Sequence, residues 1–113
     1  MIMDKGTLGP LGPVSRLTLG GGGLGQLWGR TDRAECVATL RAAVDAGIDL
    51  IDLAYRYGQG EAELVFGEAF EGRLPDGVRV TSKCLLGNTP APAIEDQLRQ
   101  SIHDSLARLR LER

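Results

Sequence analysis

The strongest constraint on this chain is a repeated switch between two hydrophobic periods. Short apolar runs at Arg16–Leu19, Ile48–Leu53 and Val78–Ser82 each precede a segment whose apolar residues recur at helical spacing. After the first run, Val37, Leu40 and Val44 fall at i, i+3 and i+7, with Cys36 and Ala43 beside them. Asp32 followed by Glu35 is a capping-box-like start for that helix, and Gly47 is its stop. After the second run comes a loop, Tyr55–Gly60, and then a helix from Glu61 to Glu71 with Val65, Phe66, Ala69 and Phe70 free to pack. After the third, Pro90 and Pro92 open a helix in which Ile94, Leu98, Ile102, Leu106 and Leu109 form one stripe. Apolar strands alternating with helices predict a parallel sheet covered by helices, hence the α/β class. Ahead of the alternation, apolar runs around Thr7-Leu8 and Val14–Leu19 flank Gly9-Pro10-Leu11-Gly12-Pro13. That punctuation predicts a hairpin leading into the first strand.

Composition removes several alternatives. Apolar residues make up 42% and charged residues 25% of the 113-residue chain, with a formal net charge of −2. Such a balance is that of a globular domain rather than a disordered one. No basic run marks a nucleic-acid partner, and no uncharged apolar stretch of about 18 residues marks a membrane span. Met1–Gly6 carries no secretory pattern. Cys36 and Cys84 fit no metal or redox spacing; they read as reduced thiols of a cytoplasmic protein.

Two loops bear on chemistry. Gly20, Gly22 and Gly25 satisfy the dinucleotide pattern G-x-G-x-x-G after a strand, and Asp52 would then stand where a ribose-binding carboxylate belongs. Against this, the helix begins only near Asp32, well outside the motif, and four consecutive glycines make a chance match easy. The plainer reading is a flexible βα loop beside a ligand. The second loop is more specific. In a parallel barrel, the C-terminal ends of the strands face the active site. Asp52 ends the second run, Tyr57 lies just past it, and Lys83 follows the third. A phenol has an ordinary pKa near 10 and is a poor acid at neutral pH. A neighbouring ammonium favours the phenolate, and a carboxylate beside that ammonium keeps it charged and oriented. A trio of this kind can protonate a carbonyl oxygen. Taken singly, each residue also has an ordinary reading: Asp52 a cap, Tyr57 a rim aromatic, Lys83 a solvated strand end. Lysine is scarce, with Lys5 and Lys83 against eleven arginines, and arginine cannot share a titrating role.

Asp52-x-Ala54-x-x-Tyr57-Gly58, Glu63, Gly67-Glu68-Ala69 and Thr81-Ser82-Lys83 together resemble the aldo-keto reductase family. Val14–Gly21 resembles its first barrel strand, and Ser105-Leu106-x-Arg108-Leu109 the end of the helix after its third. The resemblance runs from about Leu8 to Leu111. It implies a (β/α)8 TIM barrel that binds NADPH without a Rossmann domain and reduces aldehydes or ketones. It also implies Tyr57 as general acid, Lys83 and Asp52 as its tuning partners, and Gly22, Gly23, Leu24 and Asp52 beside the cofactor. Trp28, after the first strand, is a candidate lining residue for the pocket of a small-molecule carbonyl substrate. Tyr55 lies two residues too early and lacks the following glycine.

The chain also departs from that pattern. The family places a further catalytic histidine at the end of strand four, whereas the single histidine, His103, falls within the third helix as an ordinary surface residue. A barrel of about 250 residues spends roughly 30 on each unit, so this length holds residues 1–15 as a hairpin and about three βα units. The whole chain, 1–113, thus reads as the N-terminal part of one barrel domain, inactive alone and open to self-association through unpaired sheet edges; the alternative is a non-catalytic short protein, or a binding piece derived from a reductase that recruits a complementary half. The stripe from Ile94 to Leu109 calls for a fourth strand beyond Arg113, ending in histidine.

Overall fold

A computed structural model describes residues 3–113; residues 1–2 of the expected hairpin and of the N-terminal reading lie outside the described residues. The hairpin pairs β1 (Lys5–Thr7) antiparallel with β2 (Pro13–Ser15), joined through a short 3-10 turn at Gly9–Leu11. It is clipped to the segment before the next strands. The Ser15 N–H donates to Asp49 Oδ1 at 2.7 Å, Lys5 Nζ donates to Asp49 Oδ2 at 2.7 Å, and the Asp49 N–H donates to Ser15 Oγ at 3.0 Å. Burial opposes ionisation of Asp49, but the hydrogen bonds from Lys5 and Ser15 outweigh it and hold the carboxyl below its ordinary range.

Three parallel strands follow: β3 (Leu19–Gly20), β4 (Leu50–Asp52) and β5 (Arg79–Thr81), in the order β3-β4-β5. Their register aligns Gly20 with Asp52 and Asp52 with Thr81, so the C-terminal ends form one row. The first strand is later and shorter than the expected Arg16–Leu19. The Arg16 N–H donates back to the Asp4 carbonyl at 2.9 Å, which keeps this part of the chain with the hairpin until Leu19.

The helices are α1 (Arg33–Asp45), α2 (Glu61–Phe70) and α3 (Ile94–Leu109). Asp32 caps α1 by accepting the Glu35 N–H at 2.7 Å. The prolines at 90 and 92 build one 3-10 turn, Ala91–Ala93, so α3 itself begins at Ile94 rather than at Pro90. A parallel sheet must be covered by its crossover helices, and the core lies between them: Leu40, Ile51, Leu53, Val65 and Phe66 are fully buried there. α2 lies between α1 and α3 and packs against both. Gly67 permits the second contact, because a Cβ there would run into the Arg108 carbonyl. The stripe predicted on α3 is only partly covered. Leu109 is buried, whereas Leu98 and Ile102 are 38% and 58% exposed, since α2 flanks α3 on one side alone. Among the described residues no helix is long and apolar enough to cross a membrane.

Candidate active site

The row of strand ends carries the charged cluster. Asp52 is the last residue of β4, and its Oδ1 accepts from Thr81 Oγ1 at 2.7 Å and from Lys83 Nζ at 2.9 Å. Strand register explains the first bond, since Thr81 stands directly opposite Asp52 and the two side chains share a face. Lys83 Nζ also donates to the Leu53 carbonyl at 2.8 Å and lies 5.2 Å from the centroid of the Tyr57 ring. Burial opposes ionisation of Asp52; hydrogen bonds from Thr81 and Lys83, and the lysine's charge, prevail and hold the carboxyl below its ordinary range. Burial likewise opposes the Lys83 ammonium, but the bond and charge of Asp52, with Tyr57 adding to them, push its pKa up. The lysine is therefore a fixed cation with its face to a phenol ring. The structure brings Asp52, Tyr57 and Lys83 together. Tyr55 is turned elsewhere, its ring beneath the Arg108 guanidinium at 5.1 Å, and His103 is exposed on α3.

The glycine loop sits on the same rim. The Gly21 N–H donates to the Asp52 carbonyl at 2.8 Å, and turn bonds from the amides of Gly25, Gln26 and Leu27 back to Gly21, Gly22 and Gly23 wind residues 21–27 into a tight coil. As at a helix N-terminus, the first amides of such a coil lack a backbone acceptor: those of Gly22, Gly23 and Leu24 donate to no backbone carbonyl among the described residues. Two details bear on the sequence reading of this loop. Leu24 turns its side chain into the core, 5% exposed, so only its backbone can face a ligand. Gly20, Gly22 and Gly25 do not open a helix, because α1 starts at Arg33; the Rossmann alternative fails on that geometry. Gly25 serves instead as a seat for the tyrosine loop, since a Cβ there would collide with the Tyr57 backbone. Trp28 lies with its indole where a Cβ at Gly22 would stand and is itself 80% exposed. With Leu19, Gly23, Leu24 and Cys36 it borders a shallow concavity of about 250 Å³.

The sequence reading missed one constellation. Glu63, on α2, is fully buried; its Oε1 accepts from Arg108 Nε at 2.8 Å and its Oε2 from Ser82 Oγ at 2.9 Å. A carboxylate between Ala62 and Val65 on an apolar helix face was the available signal.

A carboxylate, an ammonium and a phenol thus gather at the C-terminal ends of parallel strands, the rim at which (β/α)8 barrels carry their sites. The sequence profile of the Aldo/keto reductase family matches residues 16–113. Among curated relatives, Aldo-keto reductase YhdN of Bacillus subtilis is 45% identical over 59 residues, covering 51% of this chain and 18% of its own length. The 6-dehydroglucose reductase of Novosphingobium aromaticivorans is 38% identical over 93 residues, covering 74% of this chain and 30% of its own. An aldo-keto reductase from Klebsiella pneumoniae solved in complex with NADPH superposes with a TM-score of 0.77 at 31% identity, over 99% of this chain and 37% of that one. This chain belongs to the aldo/keto reductase family. It holds the opening part of that family's (β/α)8 barrel, the hairpin and the first three strand–helix units, and the described residues form no closed barrel. It spans less than a third of the length of the two curated relatives.

Proposed function

We propose that this chain supplies the proton donor and part of the cofactor seat of an NADPH-dependent oxidoreductase that reduces aldehydes or ketones to alcohols. The observation that carries the reading is the Asp52–Lys83–Tyr57 cluster beside the coiled glycine loop. Tyr57 gives its phenolic proton to the substrate oxygen. Lys83, held by Asp52 and the Leu53 carbonyl, keeps a positive charge against the ring at the moment the proton leaves, which favours that transfer. Asp52 fixes the lysine and is in turn fixed by Thr81. NADPH, when bound, would supply the hydride for the carbonyl carbon. The residues present fit one end of that cofactor: the backbone amides of Gly22, Gly23 and Leu24 would hold its nicotinamide end, with Asp52 alongside. Trp28 borders the carbonyl substrate. The whole segment, 1–113, acts as one piece of a single barrel domain, with 1–15 as its hairpin cap. Alone it is catalytically silent, since it spans 37% of the NADPH-bound relative. The separate thiols of Cys36 and Cys84 agree with a cytoplasmic setting.

The test joins this chain to the remaining barrel units of the Klebsiella relative and measures NADPH-dependent reduction of a generic aldehyde. Tyr57→Phe should lower kcat by about two orders of magnitude or more, with the NADPH affinity nearly unchanged. Equal damage from Tyr55→Phe would show that the acid has been misplaced. A saturable rate from the 113-residue chain alone, abolished by Tyr57→Phe, would overturn the claim that it is silent.

A further inference from the structure

Strand β5 ends at Thr81, whose carbonyl accepts the Leu53 N–H at 2.8 Å. From Ser82 to Leu85 no amide or carbonyl takes part in a further backbone–backbone bond among the described residues. Lys83 therefore leaves from a stretch of chain that the sheet does not hold. What holds it is side chains, and they pull in two directions. Lys83 reaches to Asp52 and the Leu53 carbonyl on the rim, while its neighbour Ser82 reaches the other way, donating to Glu63 Oε2 at 2.9 Å. Successive residues of an extended chain point to opposite faces, so fixing Ser82 fixes the direction in which Lys83 departs.

Glu63 is an unusual anchor. A fully buried carboxylate is costly unless both oxygens are satisfied, and here each has one partner, Ser82 on one oxygen and Arg108 on the other. Arg108 in turn lies over the Tyr55 ring at 5.1 Å, two residues before Tyr57. No buried side-chain polar atom among the described residues is left without a partner, so the network is closed. One buried carboxylate thus touches, through single intermediates, both segments that carry the rim chemistry.

We propose that Glu63 is a positioning residue for this site: through Ser82 it aims Lys83 at Asp52 and Tyr57, and through Arg108 and Tyr55 it braces the tyrosine loop. The proposal rests on the reductase reading for its purpose but not for its test. The groups facing Lys83 are Asp52 and Tyr57, and those facing Glu63 are Arg108 and Ser82; none but Ser82 and Glu63 is altered below.

The experiment follows the Lys83 Nζ resonance of the 113-residue chain, labelled with 15N-lysine, through a pH titration. Lys5 is the one other lysine, so a Lys5→Arg variant assigns the signal. The unmodified chain should titrate above the ordinary lysine value of about 10.4. Ser82→Ala should lower that midpoint by about half a pH unit or more, because a loosened Lys83 spends less time on Asp52. Ser82→Thr, which keeps the hydroxyl, should restore it. Glu63→Gln should shift it the same way. A Ser82→Ala or Glu63→Gln chain that loses thermal stability while Lys83 titrates as before would reduce Glu63 to a structural role. So would an unmodified chain whose Lys83 already titrates at the ordinary value. If Glu63→Gln does not fold, the Ser82 pair still decides. A barrel in which Tyr57→Phe leaves carbonyl reduction intact would sink the reductase reading, and the lysine titration would be unaffected by that result.

Discussion

The helices α2 and α3 each carry six apolar residues, over 10 and 16 positions respectively, but those residues share little of their fate. In α2, Ala62, Glu63, Val65, Phe66 and Ala69 are buried; in α3 only Leu109 is. Yet the apolar stripe of α3 is the more regular of the two in sequence. α2 has a helix on each side and the sheet beneath, whereas α3 has α2 on one side alone. Hydrophobic period reports which face of a helix is apolar. What covers that face depends on its neighbours in the fold, and among the described residues α3 has one neighbouring helix, α2.

The comparison can be broken most directly by truncating one side chain from each helix. Phe66→Ala, at a fully buried site that also makes an edge contact to Phe70 at 5.0 Å, should cost about 3–5 kcal/mol in denaturant unfolding. That is a large part of the total stability of any domain of this size. Ile102→Ala on the open flank should change stability by about 0.5 kcal/mol or less; a loss matching that of Phe66→Ala would mean that α3 is covered in solution after all. The ion pair between the two helices comes next. Arg108→Met strands Glu63 in the interior and should cost about 3 kcal/mol, whereas Arg99→Met, whose pair with Glu95 is largely exposed on both sides, should cost almost nothing.

A smaller effect separates the sealed layer from the strand ends. The carboxyls of Asp49 and Asp52 are both held below their ordinary range. A depressed pKa in the folded state contributes stability above the unfolded value, near 3.9, and that contribution disappears as pH falls through the folded one. Melting temperature should therefore drop below about pH 4. Asp49→Asn and Asp52→Asn should each flatten that drop, and an unchanged acid limb in both variants would remove these groups as its cause. The smallest change concerns the open flank itself: Leu98→Ser with Ile102→Ser, at half-exposed positions, should leave the melting temperature nearly unchanged. A drop of several degrees would show that this face is covered in solution.

Much of this was readable before any coordinates. Asp52 and Lys83 could be placed on one rim because strand ends are marked by where apolar runs stop, and a parallel sheet puts successive ends on the same side. The capped start of α1 at Asp32 followed from the Asp32–Glu35 spacing. The partners of these residues were harder to see. Thr81 was missed as a ligand of Asp52 because cross-strand register depends on pairing that no single run encodes. The first strand was drawn too early because Arg16–Thr18 alternate like a strand, yet Arg16 is tied to Asp4 in the hairpin. That the Leu24 side chain belongs to the core while its backbone stays on the glycine loop could not be read from the run of glycines around it. Glu63 stands out in the sequence only through the family resemblance, with no role attached, since its burial depends on Ser82 and Arg108, which arrive 19 and 45 residues later.

The seat of Tyr57 on Gly25 makes the two loops mechanically dependent on each other. Two loops that belong to separate strand–helix units share one joint, with the backbone of each filling space that a side chain at the other's glycine would need. Neither loop can lengthen or drift alone without dislodging its companion, so a change in either is felt in both. A change that spares the joint must come from residues outside it. Trp28 is such a residue, exposed at the border of the neighbouring concavity, where one substitution can reshape that concavity without displacing the Tyr57 backbone.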